Sequence, residues 1–171
     1  MGTEPVIVEQ DPALPYGHLA QTSTARAAVA AALVTDPQWV LYAEDDIDVD
    51  PCLVSHWPML LRDDPVALWH RPRFTPPGLV TPAAGVVVAP AANPGRWLFS
   101  MAVILPAAVA RAAVDAAPLG YGFDLHLREL WKTRGWRPYI TLPCLVEHRR
   151  LPRVASRGGY VESGNYRGPR T

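Results

Sequence analysis

The apolar positions of this chain come in short blocks separated by prolines, glycines and carboxylates. Pro5-Val-Ile-Val-Glu9 is a β-branched run and predicts a strand, which Asp11-Pro-Ala-Leu-Pro15 then ends. Ala25 to Val34 is alanine-rich and contains no breaker. With Thr22-Ser-Thr24 as N-caps before it and Asp36-Pro37 after it, this segment predicts a helix. Trp39-Val-Leu-Tyr-Ala43 is continuously apolar, the pattern of a strand buried on both faces. It runs straight into Glu44-Asp45-Asp46-Ile-Asp48-Val-Asp50. Asp50 as N-cap and Pro51 at the first helical position predict a helix from about Pro51 to Leu61.

Val66 to Trp69 predicts the next strand, and Gly85 to Ala89 a strand or hairpin arm within a Pro/Gly-rich stretch. Trp97 to Leu105 predicts a further strand, and Pro106 opens an Ala-rich helix to about Ala116. After the Pro118-Leu-Gly-Tyr-Gly122 loop, Asp124 is placed to cap a helix with Leu125, Leu127, Leu130 and Trp131 that stops at Gly135. Tyr139 to Leu142 predicts the last strand. Strands alternating with helices predict one α/β domain over residues 1–148 with a mostly parallel sheet. Residues 149–171 hold six Arg and four Gly without apolar periodicity, and read as a C-terminal tail or lid.

Composition narrows the picture. A chain of 171 residues fits one domain, at roughly 100–200 residues each. With 49% hydrophobic and 19% charged residues it is not a disordered polyampholyte. Two cysteines, Cys52 and Cys144, do not make a disulfide framework. Glu4, Glu9 and Asp11 stand where a signal peptide needs a basic and then an apolar region. The most apolar stretch, Trp97 to Ala110, is too short to span a bilayer and contains Pro106. A soluble cytoplasmic protein without a transmembrane segment is expected. The formal net charge is zero, yet residues 1–64 hold 11 acidic and 2 basic side chains, and residues 65–171 hold 5 acidic and 14 basic ones. Such a split suggests parts that handle ions of opposite sign.

The candidate chemistry starts from Glu44-Asp45-Asp46. Three adjacent carboxylates repel one another and need solvent or a cation. Hard oxygen ligands of this kind suit Mg²⁺ or Mn²⁺ holding a diphosphate. The bland alternative is an acidic strand-to-helix turn. An EF-hand loop over Asp46, Asp48 and Asp50 fails, because Pro51 occupies the glycine position and Trp57 that of the bidentate Glu. Asp124, behind flexible glycines, can present a general base, although a plain N-cap is the commoner role for such an Asp. His148 follows the last strand beside the basic tail, where it can ligate a metal or donate to phosphate. Cys52-x-x-x-His56 and Cys144-x-x-x-His148 are too loosely spaced and too far apart to point to zinc. Arg149, Arg150, Arg153 and Arg157 suit a diphosphate. With little aromatic interleaving and no recognisable motif, they do not suggest nucleic acid.

Taken in order, these segments resemble a GT-A glycosyltransferase, closest in flavour to the bacterial lipooligosaccharide galactosyltransferase type and its family-2-like relatives. The resemblance runs over roughly residues 5–157. It rests on Arg26 in the Thr22–Leu33 helix, Trp39-Val-Leu-Tyr-Ala-Glu-Asp-Asp46 as a strand ending in a D-x-D-type triplet, and the acceptor-side strand Trp97 to Leu105. Phe123-Asp124 at a helix start, Pro143-Cys-Leu-Val-Glu-His148 and Ser156 complete it. It implies a Rossmann-like GT-A fold and metal-dependent, inverting transfer of a hexose from a nucleotide-sugar donor to a hydroxyl on a glycan, lipid-linked or protein acceptor. By the same resemblance Asp46, His148 and Glu44 would serve the Mn²⁺ or Mg²⁺, and Asp124 would be the catalytic base. Arg26, Asp45, Arg149 and Ser156 would face the donor.

The chain departs from the family in starting at its second strand, Val6-Ile-Val8, without the usual first strand of the nucleotide pocket. That leaves as the alternative a catalytically degenerate GT-A-like domain that binds a glycan or serves as an interaction module. A sugar nucleotidyltransferase on a related fold is disfavoured, since such enzymes need an N-terminal Gly-rich loop and a catalytic Lys. The only Lys here is Lys132, in mid-helix.

Overall fold

The computed structural model describes residues 18–94, 101–117, 122–149 and 166–168. Along the chain run α1 (His18–Leu33), β1 (Trp39–Ala43), β2 (Ile47–Val49), α2 (Leu53–Leu60), β3 (Val66–Ala67), β4 (Val87–Pro90), β5 (Ala102–Pro106), α3 (Ala107–Asp115), α4 (Phe123–Arg134), β6 (Tyr139–Leu142) and β7 (Val146–His148). The expected strand at Val6–Val8 and the residues Trp97–Ser100 of the expected 97–105 strand lie outside the described residues. The fold is mixed α/β. Among the described residues no helix is long and apolar enough to cross a membrane.

Five strands form one sheet in the order β1-β5-β3-β6-β4. The expectation of a mostly parallel sheet is corrected here: only β3 and β6 pair in parallel, and the other three pairings are antiparallel. The reason is topological. β1, β3 and β6 do point the same way, but β5 is inserted against the direction of both β1 and β3. A second, two-stranded sheet joins β2 to β7, pairing Ile47 with His148, Asp48 with Glu147 and Val49 with Val146. The apolar–polar pattern gave no sign of it, because three-residue strands rich in carboxylates look like loops.

Both faces of the sheet are covered. Val103 and Leu105 of β5 join Ala25, Val29, Val109, Ala113, Phe123, Leu127 and Trp131 from α1, α3 and α4. Ala102 and Ile104 face the opposite way, into Leu53, Leu60, Leu68, Trp69, Leu145 and Val146. All five residues of β5 are buried, so β5 is enclosed on both sides. The apolar run at Trp39–Ala43 was expected to have that place, but it forms an edge of the described sheet and leaves Leu41 41% exposed. An apolar run alone does not distinguish a central strand from an edge strand that packs one face.

The helix limits also shift. α1 begins at His18, ahead of the expected caps, and Thr22 is a buried residue inside it. α2 starts at Leu53 rather than Pro51. α4 ends as expected, with Gly135 at φ 73°, a left-handed conformation in which a side chain would be strained. Leu105, next to edge strand β1 in the sheet, is fully buried. Leu105→Ala is expected to cost about 2–5 kcal/mol by lost burial and an unfilled cavity, read as a lower urea midpoint at unchanged slope.

Candidate functional site

The common direction of β1, β3 and β6 puts their carboxyl ends on one side of the sheet, where open α/β sheets bind ligands. Glu44 is the first residue beyond β1, and its amide donates to the Met101 carbonyl at 2.8 Å, extending the β1–β5 ladder by one step. Two residues earlier, Tyr42 packs its ring against Phe123 with centroids 4.9 Å apart. Phe123 opens α4, so this aromatic contact fastens the start of α4 to the end of β1 and brings Asp124 towards the triplet. Sequence reasoning had Phe123 only as the residue before Asp124 and Tyr42 only as part of an apolar strand, and gave neither an anchoring role.

Electrostatics record the convergence. Burial pushes the Glu44 carboxyl up to about 7, and the charges of Asp46, Asp124 and Asp45 push it in the same direction. Burial also raises the Tyr42 phenol, followed by Glu44, Asp45, Asp46 and Asp124. Tyr42 therefore stays an O–H donor at any physiological pH. Four carboxylates from two distant segments thus act on one place. The raised Glu44 has a stability consequence. The folded state holds this proton more tightly than the unfolded chain, so folding loses stability as pH rises from about 4.5 through 7. Because Glu44 is only partly buried and solvent screens it, that loss is expected to be about 1–2 kcal/mol. Glu44→Gln is expected to remove that loss between pH 5 and 8, measured as unfolding free energy against pH.

Asp46 lies in the turn into β2. Its carbonyl accepts the Arg149 amide at 2.8 Å, continuing the β2–β7 ladder. Its Oδ2 is 3.3 Å from His148 Nε2, and its Oδ1 is buried with no hydrogen-bond partner. The imidazole of His148 has its Nδ1 2.8 Å from the Arg149 carbonyl. A carbonyl only accepts, so Nδ1 carries a proton and donates. Nε2 then either donates to Asp46 as an imidazolium or offers a lone pair to a cation shared with it. A second carboxylate pair lies alongside. Asp48 and Glu147 are directly opposite across the β2–β7 ladder, and both are buried. Arg149 Nε donates to Asp48 Oδ1 at 3.1 Å.

The remaining expected site residues separate. Asp45, the middle residue of the triplet, is exposed. Asp124 does not cap α4: Gly122 does, and Asp124 is in the first turn, its Oδ1 accepting the Leu125 amide at 2.8 Å. Asp50 does not cap α2 as expected: Cys52 is the N-cap, and Asp50 Oδ1 accepts the Cys52 amide at 2.9 Å in the turn before it. The Arg26 guanidinium hydrogen-bonds the Val114 carbonyl near the end of α3 and so ties α1 to α3. Arg149 is engaged with Asp48. Ser156, Arg150, Arg153 and Arg157 lie outside the described residues.

Among the described residues no group of three or more His, Cys, Asp and Glu side chains is gathered to hold a metal ion. What the site does offer is one hard carboxylate with an orphaned buried oxygen, next to one imidazole. That donor set fits a cation that takes one or two protein ligands and completes its shell with phosphate oxygens, the habit of Mg²⁺ and Mn²⁺. No protein-family model matches the chain, and no curated protein matches its sequence significantly.

Proposed function

We propose that this protein is a cytoplasmic GT-A-like glycosyltransferase. In this reading it moves a hexose from a nucleotide-sugar donor to a hydroxyl of a glycan, lipid-linked or protein acceptor, with inversion and with Mn²⁺ or Mg²⁺. The observation that carries the reading is the contact of Asp46 Oδ2 with His148 Nε2 at 3.3 Å beyond the carboxyl end of β1, with Asp46, Asp124 and Asp45 all near enough to push the Glu44 carboxyl up. Segments about eighty residues and more apart in sequence contribute acidic and imidazole groups to one place. Structural needs alone give no reason to gather charges that repel.

When bound, the divalent cation would neutralise the charge that develops on the leaving diphosphate. Asp46, through its partnerless Oδ1, and His148, through Nε2, are the groups that would hold it. Asp124 accepts on a carboxylate oxygen the proton of the acceptor hydroxyl as that oxygen attacks the anomeric carbon. The bond from that carbon to the diphosphate breaks on the opposite face, hence inversion. Glu44, half protonated near neutral pH, donates to or accepts from a donor-sugar hydroxyl. Tyr42 remains a neutral phenol against Phe123 and helps exclude water. Asp45 and Arg149 lie next to Asp46 and would orient the donor, and Ser156 and Arg26 belong to the same proposal.

The test is a screen of UDP- and GDP-sugars with simple sugar acceptors, with Mn²⁺ and with chelator. Cation-dependent release of nucleoside diphosphate coupled to product is expected. If no donor is turned over and no nucleoside diphosphate with Mn²⁺ raises the melting temperature, the reading is wrong, because a ligand of the folded state must stabilise it.

A further inference from the structure

Glu147 is the most deeply buried charged side chain near the site, at 1% exposure. It stands in β7 between apolar Val146 and His148, directly across from buried Asp48. Like charges opposite one another weaken a ladder, and an apolar residue of similar size would cost nothing in desolvation. Its hydrogen bonds suggest why a carboxylate stands there. The same oxygen, Oε1, accepts the indole N–H of Trp69 at 2.9 Å and the main-chain N–H of His148 at 3.0 Å. Trp69 is itself fixed, 2% exposed in the core on that face of the sheet. The His148 backbone is therefore pinned to the core through a single carboxylate oxygen. From that backbone the ring donates Nδ1–H to the Arg149 carbonyl and turns Nε2 towards Asp46.

We propose that Glu147, anchored by Trp69, is a positioning residue that sets the orientation and tautomer of His148 opposite Asp46. Outer partners of a ligating histidine act in this way, fixing which nitrogen faces the ligand. The inference rests on the reading of Asp46 and His148 as a cation and diphosphate site, but its central readout does not depend on turnover.

Three variants of the full chain decide the matter: Glu147→Gln, Glu147→Leu and Trp69→Phe. Glutamine keeps an oxygen that accepts both N–H groups, leucine keeps the volume without an acceptor, and phenylalanine removes the indole donor together with part of the ring volume. The first readout is the His148 ring tautomer from nitrogen-15 NMR at about pH 9, where imidazole is ordinarily neutral. Wild type and Glu147→Gln are expected to hold the Nδ1–H form, and Glu147→Leu to revert towards the Nε2–H form favoured in water. The second readout is the Mn²⁺ dissociation constant with nucleoside diphosphate present. It is expected to rise roughly 10–100-fold in Glu147→Leu, less in Trp69→Phe, and to be restored in Glu147→Gln.

If Glu147→Leu keeps the wild-type tautomer, the proposal is overturned. If Glu147→Gln fails as badly as leucine, charge rather than position is at work and the proposal is again overturned. Should Glu147→Leu not fold, Trp69→Phe decides alone, since an unchanged tautomer and an unchanged dissociation constant in it refute the anchor. If wild type binds no Mn²⁺ and turns over no donor, the functional reading falls while the tautomer still judges Glu147.

Discussion

Asp46→Asn is expected to lower cation-dependent nucleotide-sugar turnover by about 10³-fold or more while leaving the protein folded. The carboxylate has one oxygen 3.3 Å from His148 Nε2 and another buried without a partner. An amide is nearly the same shape but presents no anionic oxygen. Charge stabilisation by a bound cation is worth several kcal/mol, and about 4 kcal/mol corresponds to roughly three powers of ten in rate. The fold should not suffer. Removing one of three adjacent negative charges relieves repulsion, so stability at pH 8 is expected to rise by a few tenths to about 1 kcal/mol. The same change removes one of the charges that hold Glu44 high, so the stability lost between pH 5 and 8 should also shrink. Turnover within tenfold of wild type would mean that Asp46 is only an acidic turn residue, and the proposed chemistry would go with it.

The second large effect is expected at Asp124. Asp124→Asn should reduce kcat by about 10²–10⁴-fold, the range for loss of a positioned general base. The Mn²⁺ dissociation constant and the donor KM should stay within about twofold, because Asp124 is assigned to the acceptor side. The rival role is structural: a carboxylate in the first turn of α4 accepting the Leu125 amide. Asparagine keeps that hydrogen bond and loses only the favourable charge at the helix start, a cost of about 0.3–1 kcal/mol. Unaltered kcat with slightly lower stability would assign Asp124 to the helix alone. A matched fall of kcat with intact donor binding separates catalysis from folding.

Much of the site was legible because its chemistry is concentrated in a few letters. Three adjacent carboxylates after an apolar strand stand out in any reading of the chain. His148 was singled out from its place after the last predicted strand, and the structure does bring it to Asp46. What the letters did not show is how the partners are held. Tyr42 and Phe123 join β1 to α4, and Trp69 and Glu147 fasten β7. Each looks like an ordinary core or strand residue, since its role depends on a neighbour distant in sequence. Arg26 and Arg149 have partners that their letters did not show either. The resemblance places both at the donor, and in the fold one bonds the Val114 carbonyl and the other bonds Asp48. A guanidinium satisfies itself with whichever acceptor the fold supplies.

By itself the sequence determined the kinds of element and most of their centres. Helix propensity, caps and breakers act within a few residues, so α3, α4 with its Gly135 stop, and β6 were found close to their actual limits. It also determined that negative charge would be focused after residue 43, because that is a property of consecutive side chains. Strand direction and neighbourhood were left to the tertiary structure. An apolar five-residue run has the same pattern whether it lies at the centre or the edge of a sheet, and whether its partner runs with it or against it. Only the three-dimensional packing inserted β5 between β1 and β3, made the sheet mostly antiparallel in its pairings, and built β2–β7 from short charged segments. The two kinds of information meet at Asp46 and His148. Their chemistry is local, and their 3.3 Å separation is a consequence of long-range packing alone.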